Sequence, residues 1–281
     1  MKKVGVVGCG LMGSGIAEVC ARTGYEVVVR EISDELLQKG MARVRKSLSK
    51  AVARDKATQG QADEALARIR GTLDLADFAG CDLVVEAAIE NMEVKKEVFA
   101  ELDRLLPPHA VLASNTSSLC ITEMASVTQR GDKVLGIHFF NPVPVMPLIE
   151  FVRTILTSDE TMETVHRFGE SLGKTMVTAK DTPGFIVNRL LIPYILDAVR
   201  VYEDGLATRE DIDTAIKLGL NHPMGPLTLL DFVGLDTCLY IADAMYEEYK
   251  DPRYAAPPLL RRMVLAGHLG RKTGKGFYNY G

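Results

Sequence analysis

Gly8-Cys9-Gly10-Leu11-Met12-Gly13 has the spacing G-x-G-x-x-G. Each glycine answers a separate demand. Gly8 permits a tight turn, Gly10 lets the backbone approach a pyrophosphate, and Gly13 allows a helix to pack closely on a strand. A helix starting here would aim its positive end at phosphates. An acid, Glu31, follows, close to the ~20 residues on at which a carboxylate accepts from the adenosine ribose hydroxyls and repels a 2′-phosphate. The pattern predicts NAD in preference to NADP, with Gly8, Gly10, Leu11, Met12, Gly13 and Glu31 as its contacts. Arg30 is the competing feature. Alternation along a strand turns it to the opposite face, whereas a rotated side chain would reach a phosphate.

Three other places carry residue types that could do chemistry. His138 stands in Gly136-Ile137-His138-Phe139-Phe140-Asn141-Pro142 at the end of an apolar run. A catalytic base belongs at such a strand end in a doubly wound fold, although a histidine among apolar residues is also a common hydrogen-bonded structural group. Asn115-Thr116-Ser117-Ser118 follows the apolar run Ala110 to Ala113 and reads either as a polar site or as a capped turn. Glu150 interrupts an apolar segment, which calls for a buried carboxylate with a partner or for an exposed edge.

The elements that must position these groups follow from periodicity. Lys3 to Val7 is a buried strand, Leu11 to Thr23 a helix closed at Gly24, and Tyr25 to Arg30 a second strand. Strand, turn, helix and strand in so short a span make one βαβ unit and force a parallel sheet. Ser33 and Asp34 cap a charged helix running to about Arg54, and Gln61 to Arg70 returns as another, a helical hairpin inserted into the sheet topology. Further strands are expected at Leu83 to Ala87, Ala110 to Ala113, Val134 to Phe139, Leu148 to Val152 and Thr175 to Thr178. Helices are expected at Glu93 to Leu105 and Glu160 to Leu172. Past Pro183-Gly184 only helical periodicity remains, in Phe185 to Asp204, Thr208 to Leu218, Thr228 to Phe232, Asp236 to Tyr249 and Leu259 to Ala266. The expectation is a Rossmann-type, doubly wound, mostly parallel α/β domain over residues 1–183 and an all-α carboxy-terminal domain over 184–281.

Composition excludes several alternatives. A formal charge of −4 over 281 residues gives no bulk attraction to nucleic acid or anionic membrane. No apolar run approaches the roughly 18 residues of a spanning helix. The start, Met1-Lys2-Lys3 and a short apolar run to Cys9, falls short of the ~7–15 apolar residues of a signal peptide. The 5 cysteines are odd in number and scattered, as are the 5 histidines. That pattern points to reduced thiols, a soluble cytoplasmic protein and no metal.

Taken together, seven segments resemble the 3-hydroxyacyl-CoA dehydrogenase family over essentially the whole chain. They are GCGLMGSGIA at 8–17, VVEAAIENMEVKKEVF at 84–99, SNTSSL at 114–119, GIHFFNPVPVMPLIE at 136–150, DTPGFIVNRLL at 181–191, NHPMGPLTLLDFVGLD at 221–236 and GRKTGKGFYNY at 270–280. The short length is similar to the bacterial branch that acts on 3-hydroxybutyryl-CoA. The resemblance implies that His138 is the general acid/base, that Glu150 orients its imidazole, that Ser117 hydrogen-bonds the reacting oxygen and that Asn188 helps to position substrate. It implies cofactor contacts at Glu90 and Lys95, with Asn115, Ser117 and Asn141 expected beside them. Glu31 departs from the aspartate more usual at its position; the longer carboxylate reaches the same ribose.

Lys39, Arg43, Lys46, Lys50 and Arg54 recur at steps of four, three, four and four, which places them on one helical face. This stripe is a plausible dock for the phosphates of coenzyme A, with Lys50 and Arg54 the substrate contacts, or else a solvated face. By the same resemblance the carboxy-terminal helices are expected to form a homodimer interface, although their apolar positions also suit a core of their own. His222, in a Pro- and Gly-rich turn, is read as structural. The expected activity is reversible oxidation of a short (S)-3-hydroxyacyl-CoA. The alternatives are a dehydrogenase of a free hydroxy acid or sugar acid and a non-enzymatic NAD-binding protein.

Overall fold

A run such as Val4-Gly5-Val6-Val7 has no polar face, so it is stable only where both sides are covered. In the computed structural model, which describes residues 1–281, that run is β1 (Lys3–Val7). It lies between β2 (Glu26–Arg30) and β4 (Leu83–Glu86) and is parallel to both. The sheet order is β3-β2-β1-β4-β5-β6-β7-β8, with β3 Ile69–Thr72, β5 Val111–Ser114, β6 Val134–Phe139, β7 Leu148–Arg153 and β8 Thr175–Lys180. The chain leaves β1 toward β2 and β3 on one side and restarts at β4 on the other. Strand order therefore reverses between β1 and β4, the place where open α/β sheets bind ligands beyond the carboxyl ends of their strands. β7 runs antiparallel to β6, and β8 follows β7 in parallel.

Helices cover the sheet: α1 (Leu11–Arg22), α2 (Asp34–Val52), α3 (Gln59–Ala67), α4 (Met92–Leu105), α5 (Ile121–Ala125) and α6 (Asp159–Ser171). Their ends carry the expected chemistry. The Ser33 hydroxyl accepts from the Leu36 N–H, and Thr58 with Gln61 forms a reciprocal capping box.

One expectation is corrected. The helix expected over Gln61 to Arg70 stops at Ala67, and Ile69–Thr72 continues as the edge strand β3. Four residues with one buried apolar side chain, Ile69, hold too little periodicity to announce a strand. Pairing decides it, because Val27 to Arg30 of β2 offer an open parallel edge to Ile69 to Thr72. The hairpin of α2 and α3 is thus the connection that returns the chain to the sheet.

The chain divides into two units, Met1–Thr182 and Pro183–Gly281. The second consists of α7 (Val187–Glu203), α8 (Arg209–Gly219), α9 (Pro226–Val233), α10 (Leu235–Tyr249) and α11 (Pro258–Leu265) around its own core of Ile195, Leu196, Leu227, Leu230 and Met245. Two buried carboxylates organise it. Asp213 accepts from the first free N–H groups of α9, at Leu227 (2.8 Å) and Thr228 (2.9 Å). Asp231 accepts from the N–H groups of Phe277 and Tyr278 (2.8 Å each) and from the Tyr280 hydroxyl, which fastens the carboxy-terminal segment. His222 lies edge-on to Tyr194, whose hydroxyl is 3.4 Å from Nδ1, a structural contact. No helix of the chain is long and apolar enough to cross a membrane.

Candidate active site

The carboxyl ends of β1, β2, β4, β5 and β6 bring the glycine turn, Glu31, Glu90, Ser117 and His138 to one edge of the sheet. The glycine turn follows β1. Gly8 has φ +93°, and a Cβ there would lie 2.6 Å from the Ala87 carbonyl oxygen. A Cβ on Gly13 would fall 1.8 Å from the Gly8 carbonyl oxygen, whereas one on Gly10 would meet nothing within 4 Å. The space over Gly10 is what a pyrophosphate needs. α1 has no side-chain cap and no acid in its first turn, so its first N–H groups remain for an anion. Glu31, after β2, accepts from Cys9 N–H at 2.7 Å and from Ile32 N–H at 3.1 Å. Leu11, Ile32 and Ile89, which follow three adjacent strand ends, are exposed apolar side chains suited to a flat base. These residues fit a dinucleotide with an unphosphorylated ribose. Arg30 donates from Nε to the Leu73 carbonyl.

A buried ion network supports the next strand ends. Glu86, closing β4, is fully buried and accepts from Lys95 Nζ (2.7 Å), the Ser114 hydroxyl (2.6 Å) and the Ala88 N–H (2.7 Å). Lys95 is 1% exposed and also pairs with Glu90 at 3.3 Å. Glu90 in turn accepts from the hydroxyls of Thr116 and Ser118 and from the Ser117 N–H. The loop carrying Ser117 is therefore pinned from beneath. Asn115 ties it to β6 through Oδ1, which accepts from the Phe139 N–H at 2.9 Å. Asn141 is exposed just past β6. Glu86 escaped the sequence reading. Its one signal was a carboxylate ending an otherwise apolar strand nine residues before a lysine.

His138 and Glu150 face each other across β6 and β7, a direct pair of the antiparallel ladder. Nδ1–H of His138 donates to Glu150 Oε2 at 2.7 Å, with the residues 6% and 0% exposed. The ring also packs on Phe140, centroids 4.5 Å apart. An imidazole held through Nδ1 by a buried carboxylate has Nε2 as its proton-transfer atom, and its cationic form has a counter-charge at hand. Ser117 is half-buried in the neighbouring loop. Asn188 belongs to the second unit, buried in the first turn of α7 after Gly184 (φ +82°) and Phe185 (φ +46°).

The basic stripe on α2 divides. Lys39 pairs with Glu35, and Arg43 donates to the Cys9 carbonyl of the glycine turn. Lys46 and Lys50 are exposed, with no carboxylate paired to them, and the stripe ends there: α2 stops at Val52, so Arg54, expected on the same helical face, lies in the turn beyond the helix.

A glycine turn open over its second glycine, an acid at the end of β2 and a histidine–carboxylate pair at the end of β6 define an NAD-dependent oxidoreductase of the Rossmann type. The chain belongs to the 3-hydroxyacyl-CoA dehydrogenase family. Residues 3–182 match its NAD binding domain and residues 184–280 its C-terminal domain. The chain is 53% identical to a 3-hydroxybutyryl-CoA dehydrogenase of Mycobacterium tuberculosis, over 100% of this chain and 99% of that one. Its fold is similar to the crystal structure of M. tuberculosis FadB2 (TM-score 0.99, 53% identity, covering 100% and 99%). It is also similar to (S)-3-hydroxybutyryl-CoA dehydrogenase from Ralstonia eutropha (TM-score 0.95, 47% identity, covering 100% and 99%).

Proposed function

We propose that this protein catalyses the reversible NAD-linked oxidation of (S)-3-hydroxybutyryl-CoA, or a near homologue of similar chain length, to the 3-ketoacyl-CoA. The observation that carries the reading is the buried His138–Glu150 pair at the edge of the sheet that also holds the glycine turn. Oxidising a secondary alcohol removes a hydroxyl proton while a hydride leaves the carbon, so a base must sit at the oxygen. NAD supplies the hydride acceptor when bound. His138 Nε2 takes the proton from the 3-hydroxyl as the carbonyl forms, and Glu150 stabilises the resulting imidazolium. In reduction the same nitrogen returns the proton. Ser117 hydrogen-bonds the oxygen whose charge changes, an electrostatic contribution to the transition state, and Asn188 has the role of helping to position substrate. Glu90 and Lys95, with Asn115 and Asn141, serve the cofactor side.

Lys50 and Arg54 dock the phosphates of coenzyme A. Lys50→Glu is expected to raise KM for the acyl-CoA by at least about tenfold, because a charge-assisted hydrogen bond contributes roughly 1.5–3 kcal/mol and 1.4 kcal/mol is a factor of about ten. The KM for NADH should hold, and equal effects on both would remove the docking role. The homodimer contact belongs on the second unit, where the exposed Leu206 lines a cavity with Tyr194, Ala198, Val201 and Ile216. A cytoplasmic setting suits five cysteines that form no disulfide. Burial raises Cys9 and Cys81 to about 11 and Cys20 and Cys238 to about 12, so these thiols stay protonated.

The test is the loss of NADH absorbance with acetoacetyl-CoA, run beside free acetoacetate and beside NADPH. Fast oxidation only with thioester and NADH is expected. Activity on the free acid would reassign the substrate class, and silence with NADH still bound would refute the mechanism.

A further inference from the structure

α2 packs against the glycine turn at Gly40, where a Cβ would fall 2.2 Å from Cys9 Sγ and 2.3 Å from the Cys9 carbonyl oxygen. Residue 43 lies three positions on, above that contact on the same helical face. The residue there is Arg43, and its Nη1 donates to the Cys9 carbonyl at 3.5 Å. It is exposed and pairs with no carboxylate, unlike Lys39, which holds Glu35 at 2.6 Å. The N–H of the same Cys9 donates to Glu31 Oε1 at 2.7 Å. One turn residue therefore has the carboxylate on its N–H and the guanidinium on its carbonyl.

In dinucleotide folds an acid at this place reads the ribose 2′-hydroxyl, and an arginine nearby accommodates a 2′-phosphate. This chain carries both. We propose that Arg43 is a latent 2′-phosphate site: the cation that would hold an adenosine 2′-phosphate is already in place, and the charge of Glu31 alone keeps such ligands out. The proposal rests on reading the glycine turn as the dinucleotide site. A guanidinium forms two parallel charge-assisted bonds to a phosphate, and its single bond to the Cys9 carbonyl, at the distance limit, leaves its other donors for that purpose.

Calorimetry on the full-length protein with ADP-ribose and 2′-phospho-ADP-ribose tests this without turnover. The native protein should bind ADP-ribose more tightly. In Glu31→Gln the amide oxygen can still accept from Cys9, and the Kd for the phosphorylated ligand should fall by at least about tenfold, from the charge-assisted bonds gained. Adding Arg43→Gln should abolish that gain. Arg43→Gln alone, a change at an exposed side chain that leaves the fold intact, should shift the ratio of the two Kd values about tenfold against the phosphorylated ligand. Failure of Glu31→Gln to improve 2′-phospho-ADP-ribose would overturn the proposal. So would a gain that survives in the double variant, which would pass the role to Arg30. Failure of the native protein to bind either ligand would instead overturn the dinucleotide reading beneath it.

Discussion

Replacing His138 with alanine is expected to lower kcat by roughly 10²–10⁴-fold, the range lost with a positioned general acid/base, while NADH binding persists. The two effects separate because His138 lies at the end of β6, and the glycine turn and Glu31 belong to β1 and β2. The variant also takes from Glu150 its 2.7 Å partner. Stability should therefore fall too, by about 1–3 kcal/mol for a buried polar group that loses a hydrogen bond, and thermal unfolding should be recorded beside kinetics. Glu150→Gln is the companion. It keeps the shape but removes the counter-charge of the imidazolium and allows the wrong tautomer, so kcat should fall with little change in KM for NADH. Loss of NADH binding in His138→Ala would make the histidine structural.

The second large effect is expected from Lys95→Met. Methionine fills much of the space of the lysine stem and leaves Glu86 buried without its cation. Breaking a buried ion pair by removing one partner costs about 3–5 kcal/mol, equivalent to a fall in melting temperature on the order of 10 °C for a unit of this size. The effect should reach the site, because Lys95 also holds Glu90, and Glu90 pins the backbone and hydroxyls of the Ser117 loop. Glu86→Gln, which keeps most hydrogen bonds and leaves Lys95 with Glu90, should cost less than Lys95→Met. A cost below about 1 kcal/mol, the scale of an exposed pair, would show that the network does not support the loop.

The order of residues alone carries the local requirements of the fold. The glycine turn was legible because each of its demands acts within a few residues: Gly8 needs φ +93° and Gly13 has no room for a side chain. The strand before the turn, the helix after it and the acid that ends the second strand follow from alternation and spacing on one short stretch of chain. The all-helical character beyond Pro183 was likewise a matter of local periodicity. What sequence order could not supply was partnership across strands. His138 and Glu150 are twelve residues apart, and nothing in that interval says that they face each other. They meet because β7 turns back antiparallel in a register that opposes these two residues. β3 exists because β2 offers it an edge, and Glu86 matters because Lys95 and Ser114 converge on it. Arg43 shows the limit most plainly. Helical spacing set it in a basic stripe with Lys50, and only the close approach of Gly40 to Cys9 brings it to the cofactor turn. Periodicity reports which face of an element a residue occupies; packing decides what that face meets.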